Sequence, residues 1–156
     1  MRLAVASGKG GTGKTFVATN LSWFLAEAGH DVTYVDTDVE APNGHLFLHP
    51  REVAETRFSV LVPALSGQRA CTGCGACQEV CAFNAIIALK DRVMVFPELC
   101  HGCGGCALVC PEGAISEIMR PIGEVEDGRA AHVQLVQGRL HVGEAVVPPL
   151  IREVRA

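Results

Sequence analysis

The sequence predicts an α/β protein, built on a parallel sheet, that is interrupted by a small inserted α+β domain. A glycine-rich loop stands between a strand pattern and a helix pattern at the start of the chain, and all 8 cysteines lie in a later segment of different composition. The 156 residues, 49% of them hydrophobic, are enough for one ordinary domain or two small ones with a real core.

The chain opens with the pattern of a strand, a loop and a helix. Leu3 to Ala6 is a short apolar run, and a glycine-rich loop from Gly8 to Thr15 follows it. Apolar residues then recur at helical spacing from Val17 to Ala28. On this helix we expect Trp23 and Phe24 to lie in the core.

A second strand follows the helix. Gly29 is a typical helix stop, and Val32 to Val35 has the composition of a buried strand that ends at Asp36. Two strands joined by a helix imply a right-handed crossover, and therefore a parallel sheet.

The cysteines form two copies of one spacing, C-x2-C-x2-C-x3-C, separated by a repeat of 29 residues that takes Cys71 onto Cys100. A cubane iron-sulfur cluster needs three thiolates from one tight loop and a fourth from farther away. In two-cluster ferredoxins the fourth cysteine of each run serves the other cluster. The predicted 4Fe-4S ligands are therefore Cys71, Cys74, Cys77 and Cys110 for one cluster, and Cys100, Cys103, Cys106 and Cys81 for the other.

Disulfides and zinc are the alternative uses of these cysteines. Disulfides need an oxidising compartment, and Met1 to Gly10 lacks the long apolar run of a secretory signal. Zinc sites usually use paired C-x2-C knuckles rather than a loop of three cysteines with a fourth at x3. The spacing therefore favours two 4Fe-4S clusters.

The loop at the start of the chain matches the phosphate-binding pattern G-x4-G-K-T. Its glycines allow backbone N–H groups to surround phosphate oxygens. Lys14 would reach the terminal phosphates, and Thr15 would offer its hydroxyl to Mg²⁺. The predicted nucleotide-binding residues are Gly8, Lys9, Gly10, Gly11, Thr12, Gly13, Lys14 and Thr15.

Lys9 gives this loop a second lysine, and with it the chain resembles the deviant-loop ATPases. That group includes MinD, ParA, the nitrogenase iron protein and the Mrp-type iron-sulfur carriers, whose loop K-G-G-x-G-K-T/S is matched by Lys9 to Thr15. More narrowly, the chain looks like the MinD-like ATPases that carry an inserted two-cluster domain of the bacterial-ferredoxin type. The resemblance implies a P-loop NTPase sheet that binds ATP with magnesium.

The resemblance also implies roles for particular residues. In this family two subunits close over ATP, so Lys9 would cross to the partner's phosphates; a lysine solvated at the loop mouth is the alternative. The segment from Asp36 to Asn43 resembles the first switch segment, so Asp36 and Asp38 would orient the attacking water and contact Mg²⁺ through its shell. Which of the two orients the water is left open, and a helix cap or solvent exposure is the alternative for both.

Three segments follow from these patterns: a first part of the nucleotide-binding domain at 1–65, the inserted domain at 66–120, and a return segment at 121–156. The return segment is expected to form a hairpin around Gln137-Gly138 and a short helix after Pro148 and Pro149.

The family's second magnesium-binding segment is not found, because Asp127-Gly128 lacks a preceding apolar strand. We therefore expect the amino-terminal part of a longer protein, unable to hydrolyse ATP by itself. A short natural chain completed by a second subunit is the alternative.

Composition excludes some partners. The net charge of −4 and the absence of a basic run argue against nucleic acid. No apolar stretch approaches the length of a membrane span, so we expect a cytoplasmic protein. The expected partners are a second copy on ATP binding and an unidentified redox protein.

Three functions are compatible with these features. The first is an ATPase whose nucleotide cycle gates electron transfer through two 4Fe-4S clusters. The second is a protein that carries clusters to other proteins. The ferredoxin array argues against it, because clusters with a full set of protein ligands are retained. The third is a ferredoxin-like electron carrier with a non-hydrolysing nucleotide domain, against which the pair Lys9 and Lys14 argues.

Overall fold

The computed structural model describes residues 1–66, 71–90 and 92–156 of the chain. Residues 67–70 and 91, within the predicted insert, lie outside the described residues. The helices are α1 (Lys14–Glu27), α2 (His45–Leu48), α3 (Ala76–Val80), α4 (Gly105–Leu108) and α5 (Val147–Val154), with a 3₁₀ turn at Pro97–Leu99. The strands are β1 (Val32–Asp36), β2 (Arg51–Leu65), β3 (Ile86–Ala88), β4 (Val93–Val95), β5 (Ile115–Ala130) and β6 (Val133–Leu140).

The larger sheet has the strand order β1-β6-β5-β2. β1 runs parallel to β6, with Val32 opposite Val133 and Asp36 opposite Gln137. β5 and β6 pair antiparallel, so the sheet is mixed. β3 and β4 form a separate antiparallel pair. The predicted α/β class is confirmed, and the parallel pairing joins β1 to a strand from the far end of the chain.

The chain divides into two compact units. The first contains Met1–Arg57, Gly123–His141 and Val147–Ala156, and the second contains Phe58–Ile122 and Val142–Val146. The predicted insert at 66–120 falls within the second unit, which begins earlier, at Phe58.

The core of the first unit lies between α1, α2 and the β1–β6 pair. Its buried residues are Ala26, Tyr34, Leu48, Ala130, Val133 and Leu135. Helix α1 contributes small side chains to this core, and Trp23 and Phe24 are 43% and 70% exposed. The prediction that these two aromatic residues lie in the core is wrong, because the helix turns its small residues toward the sheet.

The predicted strand at Leu3 to Ala6 does not form. Residues 1–10 are exposed, and no strand of the described residues pairs with this run. A strand is stable only when its backbone N–H and C=O groups find partners. The apolar composition of the run therefore does not suffice to make it a strand here.

The hairpin lies at a different position from the predicted one. Gln137 and Gly138 lie inside β6, and the turn between β5 and β6 is at Ala131, which has a φ of 50°. Gly138 is there for close packing, since a Cβ on it would stand 2.7 Å from side-chain carbons of both Val39 and Val154. Gln137-Gly138 therefore resembles a turn in sequence, but its glycine is required by close packing inside a strand.

The second unit has its own core, in which cysteines and aliphatic side chains are mixed. Its buried members are Cys77, Ile86, Val93 and Ile115. The repeat is visible in this core, because Ile86 and Ile115, which are 29 residues apart, both belong to it. Among the described residues, no helix has the length and apolar character needed to cross a membrane.

Candidate functional site

The phosphate-loop sequence forms an exposed loop that leads directly into α1. The loop residues from Gly8 to Gly13 are exposed, and the helix begins at Lys14. Gly11 and Gly13 have φ angles of 71° and 86°, in the left-handed region that favours glycine. The glycines therefore set the shape of the loop at the helix N-terminus, where backbone N–H groups are free to bind an anion.

Hydrogen bonds between side chains and backbone hold the loop in shape. The Ser7 hydroxyl donates to the Lys9 carbonyl at 2.8 Å, and the Thr12 hydroxyl donates to the Ser7 oxygen at 2.8 Å. The Lys14 ammonium lies 3.4 Å from the same Ser7 oxygen, so its charge is directed back toward the loop. Lys9 is exposed, and Thr15 is half-buried in the first turn of the helix.

Asp36 ends β1 and orders the segment that follows it. One carboxylate oxygen accepts the backbone N–H of Asp38 at 3.1 Å. The other accepts those of Asn43 and Gly44 at 3.2 and 2.9 Å. The side chain is buried, so these bonds replace the water that the carboxylate loses. Both oxygens of Asp36 are thus engaged with the backbone, whereas Asp38 is exposed.

Tyr34 packs beneath the same segment. A Cβ on Gly44 would stand 2.3 Å from the Tyr34 ring, so only glycine allows this approach. Burial, and after it the Asp36 carboxylate to which the phenol hydrogen-bonds, raises the pKa of Tyr34 above its ordinary value. The phenol therefore stays protonated and supports the carboxylate as a donor.

A buried polar network, not predicted from the sequence, lies beside Asp36. Gln137 donates to Glu126 at 2.5 Å, and Glu126 in turn accepts from Arg139 at 2.9 Å. His45 Nδ1 lies 3.2 Å from the Gln137 side-chain oxygen. One feature of the sequence could have indicated this network. Gln137 continues the alternation of buried positions that Val133 and Leu135 begin, so a polar side chain faces inward there.

The eight cysteines surround two cavities in the second unit. Cavity 1 is lined by the thiols of Cys71, Cys74, Cys77 and Cys110. Cavity 2 is lined by the thiols of Cys81, Cys100, Cys103 and Cys106. Each set combines three cysteines of one repeat with the last cysteine of the other. The two cavities have similar volumes, about 350 and 410 Å³ including their open mouths.

Backbone amides point at sulfur in both sets. Ala85 donates to Cys81 Sγ and Ala114 donates to Cys110 Sγ, each at 3.3 Å. Gly102 donates to Cys100 Sγ at 3.4 Å. Such bonds stabilise thiolate charge and tune a cluster bound to it. The donor set therefore fits an iron-sulfur cluster.

All eight thiols are free, and burial disfavours the thiolate form of three of them. None of the eight cysteines forms a disulfide. Burial raises the pKa of the Cys77, Cys100 and Cys106 thiols, whereas a reactive cysteine has a lowered pKa. In the described ranges, no three or more histidine, cysteine or acidic side chains are grouped as the ligands of a single metal ion, so the four-thiol sets are considered only as ligands of a cluster.

His101 stacks on Phe83 beside cavity 2. The ring centroids are 3.7 Å apart and the ring planes differ by 13°. Both side chains line the cavity.

Comparison with known families shows to which family of nucleotide-binding domains the chain belongs. The profile of the CobQ/CobB/MinD/ParA nucleotide-binding domain matches residues 3–138. The chain belongs to this family. The resemblance inferred from Lys9 to Thr15 is thereby confirmed.

Individual relatives extend the comparison. An uncharacterized protein of Methanocaldococcus jannaschii is 32% identical over 157 residues, which cover 99% of this chain and 54% of that protein. A Pyrococcus furiosus protein named iron-sulfur cluster carrier protein is 34% identical over 71 residues, 41% of this chain and 24% of its own length. An uncharacterized ATP-binding protein of M. jannaschii is 46% identical over 46 residues, 30% of this chain and 17% of its own. The chain thus spans about half the length of the relative it matches end to end, and less of the others.

Replacing Asp36 by alanine should lower the free energy of unfolding by about 1–3 kcal/mol, because three backbone N–H groups lose their acceptor. Asp38→Ala is the matched control and should change it by less than about 0.5 kcal/mol, since that side chain is exposed. Urea unfolding followed by circular dichroism measures both. Equal destabilisation by the two variants would contradict the ordering role of Asp36.

Proposed function

We propose that this chain is part of an ATP-dependent iron-sulfur cluster carrier, which binds Mg²⁺-ATP at Gly8 to Thr15 and two 4Fe-4S clusters at its cysteines. The observation that carries the proposal is the sharing of each four-thiol cavity between the two repeats. It occurs in a chain of the MinD/ParA type of nucleotide-binding domain.

Cavity 1 would hold its cluster by Cys71, Cys74, Cys77 and Cys110, and cavity 2 by Cys81, Cys100, Cys103 and Cys106. A bound cluster supplies iron and sulfide for transfer and a one-electron redox couple. The chain itself contributes the ligand thiolates and the backbone amides of Ala85, Gly102 and Ala114. These amides donate hydrogen bonds to cysteine sulfurs and so lower the cost of burying the thiolate charge.

The nucleotide half binds and orients the phosphates. Lys14 neutralises the terminal phosphates, Thr15 binds Mg²⁺, and the loop amides surround the phosphate oxygens. Asp36 positions the switch segment, and the exposed Asp38 is the carboxylate available to orient water. Lys9 acts across a homodimer that closes on ATP, and hydrolysis belongs to the protein with a complete second magnesium-binding segment.

The comparisons support the carrier function better than electron transfer gated by hydrolysis. Several similar proteins, from Pyrococcus, Saccharolobus, Synechocystis and Aquifex, are named iron-sulfur cluster carrier proteins. Electron transfer to a redox protein is the second candidate. It is favoured by the four thiols around each cavity, because a cluster with a full set of protein ligands is held tightly.

Protein prepared without oxygen, or reconstituted with iron and sulfide, should be brown and contain about eight irons per chain, as two cubanes require. Metal analysis and visible absorption measure this. Stoichiometric zinc without visible absorption would refute cluster binding.

Paramagnetic resonance of reduced variants should distinguish the two ligand sets. Cys110→Ala should remove the signal of the cluster held by Cys71, Cys74 and Cys77. Cys106→Ala, only four positions earlier in the sequence, is the control and should remove the other signal. If both variants removed the same signal, each cluster would be ligated within one repeat.

The two lysines should differ in their effects on nucleotide. Lys14→Ala should abolish ATP binding, because the terminal phosphates lose their nearest cation. Lys9→Ala should retain binding and lose ATP-dependent dimerisation, because its target lies on the partner. Calorimetry and light scattering of the protein with its complete nucleotide domain measure both. Equal loss of binding in the two variants would place Lys9 in its own subunit's site.

Cluster transfer separates the carrier function from electron transfer. The loaded protein is mixed anaerobically with an apo-ferredoxin, and the acceptor is then isolated and assayed for iron and absorption. A carrier should load the acceptor and lose iron in step, and faster with ATP than without it. Retention of all iron, together with reduction of an oxidised acceptor dye, would support electron transfer instead.

A further inference from the structure

The two cysteine cavities are related by the repeat but carry different side chains at two positions that the repeat makes equivalent. Phe83 and His101 line cavity 2. The residues that the 29-residue repeat places at the same points of cavity 1 are Glu112 and Thr72. The chain therefore contains an aromatic pair at one cavity and a polar pair at the other, at positions that the repeat makes equivalent.

The aromatic pair joins both stretches of chain that supply cavity 2. Phe83 follows Cys81 by two residues, and His101 directly follows Cys100. Their rings are stacked at 3.7 Å, and Phe83 is 43% exposed, so the stack has one side on the cavity and another toward solvent. Around cavity 1, Thr72 and Glu112 are both exposed, and neither side chain offers a ring.

The remaining lining does not distinguish the two cavities. Leu61, Pro63 and Val80 add apolar side chains to cavity 2, and Val93, Pro111 and Ile115 add them to cavity 1. Among the described residues, each cavity is lined by one carboxylate, Glu117 at cavity 2 and Glu112 at cavity 1. The distinguishing feature is therefore the ring stack.

We propose that the two cavities retain their clusters unequally: the Phe83–His101 stack shields cavity 2, and cavity 1 releases its cluster first. The inference rests on the proposed cluster binding. Loss of iron requires water or a chelator to reach the iron-thiolate bonds, and the stacked rings exclude both from one side of cavity 2. Opening the stack breaks an aromatic contact, which the described residues around cavity 1 do not offer.

This difference assigns separate roles to the two sites. The cluster in cavity 1 is the one available for transfer to an acceptor, and the cluster in cavity 2 remains with the protein. Four protein ligands around each cavity favour retention of both clusters, and a carrier must release one. Unequal shielding allows the cluster in cavity 1 to be released while the other is retained.

The test is iron release from the loaded protein to an excess of an iron(II) chelator under reducing, anaerobic conditions. We expect two phases of about four irons each. Their rates should differ at least about threefold, the order of effect that one aromatic pair gives. Cys110→Ala should eliminate the fast phase, and Cys81→Ala should eliminate the slow one.

Exchange of the two pairs provides matched variants. Phe83→Glu with His101→Thr should accelerate the slow phase, and Thr72→His with Glu112→Phe should retard the fast phase. Phe83→Leu keeps an apolar side chain but removes the stack, and it tests cavity 2 if the double variant fails to load. Met119→Thr, at an exposed position that lines neither cavity, should leave both rates unchanged.

The outcomes separate this inference from the proposed function. Protein that takes up no iron refutes cluster binding and the inference together. Full loading with one release phase refutes only the inequality, as does a slow phase that Phe83→Leu and Phe83→Glu/His101→Thr leave unchanged. Loss of the fast phase in Cys81→Ala would reverse the assignment and refute the shielding role of the stack.

Discussion

Neither repeat of the cysteine-rich unit can surround a cavity by itself, and the second unit depends on this constraint. Each repeat provides three thiols to one cavity and one thiol to the other. The two repeats must therefore pack against each other before either four-thiol set exists. The core reflects this, since Cys77 is buried with Ile86, Val93 and Ile115. The core and the proposed cluster ligands are in this way provided by some of the same residues.

The nucleotide-binding unit depends on a different local interaction, the buried carboxylate of Asp36. Its two oxygens accept three backbone N–H groups of the segment that follows β1. Tyr34 and the close approach of Gly44 support it from below. The shape of this segment is thus maintained by one side chain, and Asp38 stays exposed. A carboxylate that orders the loop and an exposed carboxylate are thereby separated by a single residue.

A phosphate loop and two cysteine cavities within one chain are consistent with a protein in which nucleotide controls the fate of a cluster. On the proposal of unequal retention, the Phe83–His101 stack would give such a protein two sites that lose iron at different rates. A full set of protein ligands around each cavity would then be compatible with delivery of one cluster, because solvent reaches the iron-thiolate bonds of the two cavities unequally.

The sequence by itself determined the α/β class, the phosphate loop and the two cysteine spacings, since each depends on short-range order along the chain. α1 begins at Lys14 and β1 ends at Asp36, within the segments indicated by glycine placement and apolar runs. The tertiary structure decided what depends on distant neighbours. The run from Leu3 to Ala6 lacks a pairing strand, and Gly138 serves packing against Val39 and Val154 rather than a turn.

The same distinction applies to the candidate sites. Spacing grouped the cysteines, but only the fold brought Phe83 onto His101 and Gln137 onto Glu126. The engagement of both Asp36 oxygens likewise could not be predicted from the carboxylate's position. Trp23 and Phe24 are apolar and helical, yet they are exposed, because the helix packs through its small residues. Burial and side-chain partners follow from which surfaces meet in three dimensions, and a local pattern does not contain that information.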